Sequence, residues 1–175
     1  LWDGEIRLSL DAFREMSAVL GVALIFIFLL LVATYKSFLI PVIAMTAIPL
    51  GLVGIFPGHW IVGIPFSMAS MIGTVALAGV VIRNSLLIID FIQDYQRQGH
   101  DLKEAVKLAG AVRLRPILLT ASAVVIGTLI MYRDPLFAGL ATSLIFGTTA
   151  STILTLLVLP LIYYRVARNR PHWVR

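Results

Sequence analysis

The chain has 175 residues, 59% of them hydrophobic and 13% charged, with a net charge of +5 and a mean hydropathy of +0.97. That balance lies outside the range of soluble globular domains and inside that of polytopic membrane proteins. Zero cysteines exclude disulfides and thiolate metal sites, and His59, His100 and His172 are too scattered for a helical ligand pair, so neither a metal site nor a cofactor is expected.

A membrane span needs about 20 mainly apolar residues, and five such spans can be counted. Residues 1–15 form a lead-in on the outer side; they lack the charged, apolar and cleavage regions of a signal peptide in order, and with Leu1 first the chain reads as a piece of something longer. The first span covers 16–35. An uncharged run of 46 residues, Ser37 to Ile82, is too long for one helix, and the glycines and proline of GHWIVGIP divide it into spans at 37–57 and 66–92 with a loop at 58–65. Pro41 and Pro49 remove backbone hydrogen bonds from the second span and predict a kink there. Residues 93–112 form a connection in which Asp101 and Glu104 read as a carboxylate capping box for a short amphipathic helix. A fourth span covers 113–132, a loop 133–137, a fifth span 138–166, and a tail 167–175.

Basic residues set the orientation. The 93–115 segment holds Arg97, Lys103, Lys107, Arg113 and Arg115, the tail region holds Arg165, Arg168, Arg170 and Arg175, and Lys36 lies in the first connection. The opposite side holds only Arg7, Arg14 and Arg133, so the positive-inside rule puts the C-terminus in the cytoplasm. The same distribution explains the net charge by topology and argues against nucleic acid as a partner, because the bases form no single basic domain.

Between lipid-embedded helices, close packing depends on small residues. The fifth span carries Gly139, Ser143, Gly147, Ser151 and Thr155, each four residues from the next, and the third carries Ala69, Gly73, Ala76 and Gly79. Both ladders are expected to be packing faces. Arg83 shares a helical face with Ile72, Ala76, Gly79, Leu87 and Asp90 and is therefore expected to point inward, with Asn84 beside it. Asp90 lies seven residues on, about 10 Å along the axis and too far for a relaxed pair. An arginine at mid-membrane costs at least about 2.5 kcal/mol and usually marks an ion or proton pathway; the competing reading is a side chain that snorkels to the boundary.

The stretch GVVIRNSLLIIDF resembles the tenth transmembrane helix of resistance-nodulation-division (RND) efflux pumps: a glycine, a basic residue with asparagine four positions later, an aliphatic run, then an acidic residue with phenylalanine. AVRLRPILLT resembles the family's entry to the eleventh helix, FGTTASTILTLLVLPLIYY its twelfth, and ATYKSFLIPVIAMTAIPLGLVG the junction of its eighth and ninth. The resemblance implies an all-α membrane fold, here the five-helix C-terminal part of the second RND transmembrane repeat. It implies a proton-driven multidrug exporter of the bacterial inner membrane, a secondary transporter and not an enzyme. The partners it implies are a homotrimer, a periplasmic adaptor, an outer-membrane channel, membrane lipid and the proton. Residue by residue it implies a proton relay of Arg83, Asn84 and Thr120, with Arg113 near the cytoplasmic approach and the carboxylate partners absent from this chain. Arginine stands where drug-exporting members usually have lysine, and because it keeps its proton it would act as a fixed countercharge. Two alternatives are a protein-export or assembly factor and a metal exporter on a related membrane fold; against the latter, Met45, Met68 and Met71 form no ladder through the other spans. A passive channel would need a ring of carbonyls or repeated charges, which the sequence does not offer.

Overall fold

The computed structural model describes residues 2–169, so Arg170, His172 and Arg175 of the expected tail lie outside the described residues. The described chain is all-α: α1 (Trp2–Tyr35), α2 (Leu39–Met45), α3 (Ala47–Val62), α4 (Met68–Arg97), α5 (Leu102–Leu129), a 3₁₀ turn (Ile130–Arg133) and α6 (Ala138–Asn169). With α2 and α3 counted as one rod, five of these units are long and apolar enough to cross a membrane.

Several boundaries differ from the sequence reading, each for a local reason. The segment before Met16 is helical, so α1 reaches 34 residues, about 51 Å. It stops at Lys36, whose φ of 50° is the left-handed conformation that ends helices. Pro41 and Pro49 each fall in the first turn of a helix, where a missing N–H costs little, and the break between α2 and α3 comes at Thr46. There Thr46 Oγ1 donates to the Ile43 carbonyl at 2.6 Å. Gly58 and His59, expected in a loop, lie inside α3, which runs past Pro57 and ends at Gly63 with φ 73°.

Ser67 caps α4 through a reciprocal box with Ser70. At α5 the expected box does not form: the Asp101 side chain makes no cap hydrogen bond, and Glu104 lies 4.0 Å from His100 instead. Nor is the amphipathic segment a separate helix; it continues unbroken into the span through Pro116.

At the centre is α6, packed against α3, α4 and α5. Its ladder explains how. Gly139, Ser143, Gly147 and Ser151 are all buried. A Cβ at Gly147 would run into Leu77 of α4 and lie 2.9 Å from Ile55 of α3, and one at Gly139 would meet the Ser70 and Ser67 hydroxyls. At the other extreme, α1 makes its main contacts with α2 and α4, and none of its most apolar stretch is buried.

The second ladder divides. Gly73 is buried, with Leu140 O and Ser143 Cβ each 2.9 Å from where a Cβ would sit. Ala76 is exposed, and Gly79 has nothing within 4 Å. Within this chain these two do not form the expected packing face, because 69, 73, 76 and 79 sweep about 120° around the helix and only Gly73 falls on the side toward α6.

Candidate functional site

Arg83 is the sixteenth of the 30 residues of α4, about 22 Å from either end. It does not point into this bundle, as its shared face with the ladder led one to expect; it is exposed, on the same uncovered side as Ile72, Ala76 and Gly79. Its guanidinium has no hydrogen bond or ion pair among the described residues. The opposite side of α4, with Leu77, Val81, Ser85, Ile88 and Ile92, is buried. Asn84 follows that side and is 5% exposed.

The chain does not bring the other expected relay members to Arg83. Thr120 donates its hydroxyl to the Ile117 carbonyl of its own preceding turn at 2.9 Å, with Pro116 O at 3.2 Å. Arg113 is half-buried with its guanidinium carbon 5.4 Å from the Phe91 ring centroid, a cation–π contact, while its Nε is buried without a hydrogen bond. The Phe91 ring stacks on Tyr95 at 5.9 Å and Tyr95 on His100 at 3.9 Å, so an aromatic column joins the end of α4 to the start of α5.

Two polar arrangements escaped the sequence reading. At the Lys36 end, Tyr35 Oη donates to Asp90 Oδ1 at 2.7 Å and ties α1 to α4. The pair lines a cavity of about 470 Å³ that also carries Lys36, Asp94 and Arg97. At the opposite end, His59 is 6% exposed, with Nδ1 2.9 Å from the Ile55 carbonyl and Nε2 2.8 Å from Ser70 Oγ. A carbonyl only accepts, so Nδ1 carries a proton, and in the neutral imidazole the Ser70 hydroxyl then donates to Nε2. Ser143 Oγ then donates to Ser70 O at 2.9 Å, which links α3, α4 and α6 through one serine. A histidine in an otherwise apolar run was the visible signal for this cluster; its partner eleven residues on, across a turn, was not readable. Among the described residues no group of His, Asp and Glu is placed to hold a metal ion.

Five apolar rods, one of them a central small-residue helix, with a charge at mid-depth of another, are the membrane segment of an RND permease. The chain belongs to the AcrB/AcrD/AcrF family, whose model matches residues 1–167. It is 36% identical to the cobalt-zinc-cadmium resistance protein CzcA of Cupriavidus metallidurans, over 97% of this chain and 16% of that protein. Swarming motility protein SwrC of Bacillus subtilis is 33% identical over 91% of this chain and 16% of its own length. The toluene efflux pump membrane transporter TtgB of Pseudomonas putida is 28% identical over 87% of this chain and 15% of its own length. Crystal form II of a heavy metal efflux pump superposes with a TM-score of 0.79 at 27% identity, covering 93% of this chain and 16% of that one. The chain thus spans about a sixth of the length of the relatives it matches.

Proposed function

We propose that this chain contributes the fixed positive charge of the proton-coupling site in an RND exporter. The observation that carries the reading is Arg83: a cation at mid-helix, on the one side of α4 that no other helix of this chain covers. A charge so placed in a membrane protein faces a partner or a polar cavity, and the uncovered side is where carboxylates from another part of the transporter would meet it. Arginine holds its proton, so those carboxylates titrate and Arg83 shifts between them as they do. Asn84 and Thr120 are its further partners in the relay, from the buried side of α4 and from α5, Thr120 after releasing the bond to its own turn. The end carrying Lys36, Arg97 and Arg165 faces the cytoplasm of a bacterial inner membrane, and the whole protein works as a homotrimer with a periplasmic adaptor and an outer-membrane channel.

The test is Arg83→Ala in the full-length transporter. Export falls to background while protein level and detergent melting temperature stay near wild type, because no bond within this chain is lost; Arg83→Lys retains part of the activity. Wild-type export by Arg83→Ala sinks the reading.

A divalent transition-metal cargo is a second reading, supported by the higher identity to CzcA, 36%, than to TtgB, 28%. Resistance conferred on an exporter-deficient host decides it. Protection against zinc, cobalt or cadmium ions supports metal, and protection only against toluene or ethidium returns the cargo to the multidrug class.

A further inference from the structure

The described chain holds ten threonines, and seven donate their hydroxyl to their own preceding turn. Thr148, Thr152 and Thr155 of α6 do not. Their hydroxyls are buried with no hydrogen-bond partner, and the residues are 1%, 5% and 3% exposed. Spacings of four and three place them on one face, over a rise of about 10 Å. That face falls between Gly147, which abuts Leu77 of α4, and Thr142, which hydrogen-bonds Tyr132 in the 3₁₀ turn that follows α5. The three hydroxyls therefore look into the seam where α4, α5 and α6 meet. Helices α4 and α6 run parallel, with Ser143 beside Ser70 and a Cβ at Gly147 meeting Leu77. Carrying that register on sets Thr155 level with Asn84, itself buried and without a hydrogen bond among the described residues.

Leaving a buried hydroxyl unpaired costs about 1–3 kcal/mol, and the remedy used by the other seven threonines, a bond to the preceding carbonyl, lies one rotamer away. Three successive hydroxyls without that remedy, the last of them level with an amide at the depth of Arg83, form a polar lining inside an apolar bundle. Buried water needs two to four polar partners and room of its own; this row supplies the partners at successive heights, and because its oxygens are sealed in this packing the room comes only as the seam between the helices opens.

We propose that Thr148, Thr152 and Thr155 line a file of water that carries protons between the outer half of the bundle and the level of Arg83. The proposal rests on the proton-coupling reading above. In each hop one oxygen gains an O–H bond as its neighbour gives one up, so a proton enters at the Thr148 end and another leaves at the Thr155 end, beside Asn84 on the buried side of α4. No group in the file is consumed.

This chain has no cysteine, so single cysteines at the three positions report directly on water. In the full-length transporter, with any cysteines outside this segment replaced, Thr148→Cys, Thr152→Cys and Thr155→Cys should react with a small charged methanethiosulfonate at least about tenfold faster than Ile89→Cys in the apolar core, because reaction needs a hydrated thiolate. Rates equal to Ile89→Cys overturn the file. Changing all three threonines to valine keeps their shape and should leave the melting temperature unchanged or raised. Resistance to whichever compound of the ion and dye panel the wild type protects against should fall about tenfold or more, while the triple serine variant retains it. Wild-type resistance in the valine variant also overturns the proposal. The two readings fail separately: an active Arg83→Ala variant with reactive cysteines removes the coupling role alone, and unreactive cysteines with an inactive Arg83→Ala variant remove the file alone.

Discussion

On α4, Gly73, Leu77, Ser85 and Ile88 lie on a side pressed into the bundle, while Ile72, Ala76, Gly79 and Arg83 lie on a side left exposed in this chain until α1 reaches it at Asp90. Both sides carry small residues at helical spacing, and nothing in their composition ranks one above the other. The difference lies in what stands opposite. Gly73 faces a ladder of small residues on α6 whose own gaps match it, and two backbones come close enough for Ser143 to reach the Ser70 carbonyl. Gly79 and Arg83 have no such counterpart here. A helix face becomes a packing face when it finds a complementary one, and the uncovered side of α4 is complementary to something other than these five rods.

The largest effect expected from breaking the packed side comes from Gly147→Leu. The new side chain would overlap Leu77 and press on Ile55, costing about 3 kcal/mol or more, so the full-length protein should fail to accumulate or should melt well below wild type. Normal accumulation and melting would show that α6 is not wedged as described. A matched pair on α4 is the sharper test. Gly73→Ala puts a methyl 2.9 Å from the Leu140 carbonyl oxygen and should destabilise by about 1–3 kcal/mol. Gly79→Ala meets open space in this chain and should gain up to about 1 kcal/mol from helix propensity. Equal losses in the two would mean that the rest of the transporter covers Gly79 as tightly as α6 covers Gly73, and the contrast would vanish. The smallest change is Tyr35→Phe, which removes the donor to Asp90 on the rim of the uncovered region. A loss of about 1 kcal/mol is expected, read as a modest fall in melting temperature; an unchanged value would leave α1 held by apolar contact alone.

The five spans and the α6 ladder were legible because they rest on run length and period, which are local properties of the sequence. The route of α3 through Gly58 was not, since a glycine beside an apolar turn suggests a break unless a neighbour fills the space, and Phe146 of α6 fills it. Nor was the continuity of α5 legible: a carboxylate pair and a proline mark both a short helix and the first half of a long one. That no helix of this chain covers the side of Arg83 was not legible for a related reason. Periodicity says which residues travel together around a helix and is silent about which direction is occupied. The α6 threonines were visible as polar residues in an apolar run, but their failure to bond to their own turn is a matter of rotamer, which sequence does not encode by itself.

The unbroken α5 has a mechanical consequence. Its first fourteen residues, Leu102 to Arg115, make an arm about 21 Å long outside the most apolar stretch. Pro116 removes one backbone bond where arm meets span, which makes that point a natural fulcrum. A tilt of about 10° there swings the far tip sideways by about 4 Å. The aromatic column from Arg113 to His100, with Ala105 and Ala109 buried in the same cluster as Ile88, Ile89 and Ile92, ties the arm to the end of α4, so a tilt of the arm would have to be shared by the rod that carries Arg83. The segment expected to be a short separate helix is, in this geometry, the rigid extension of the span itself.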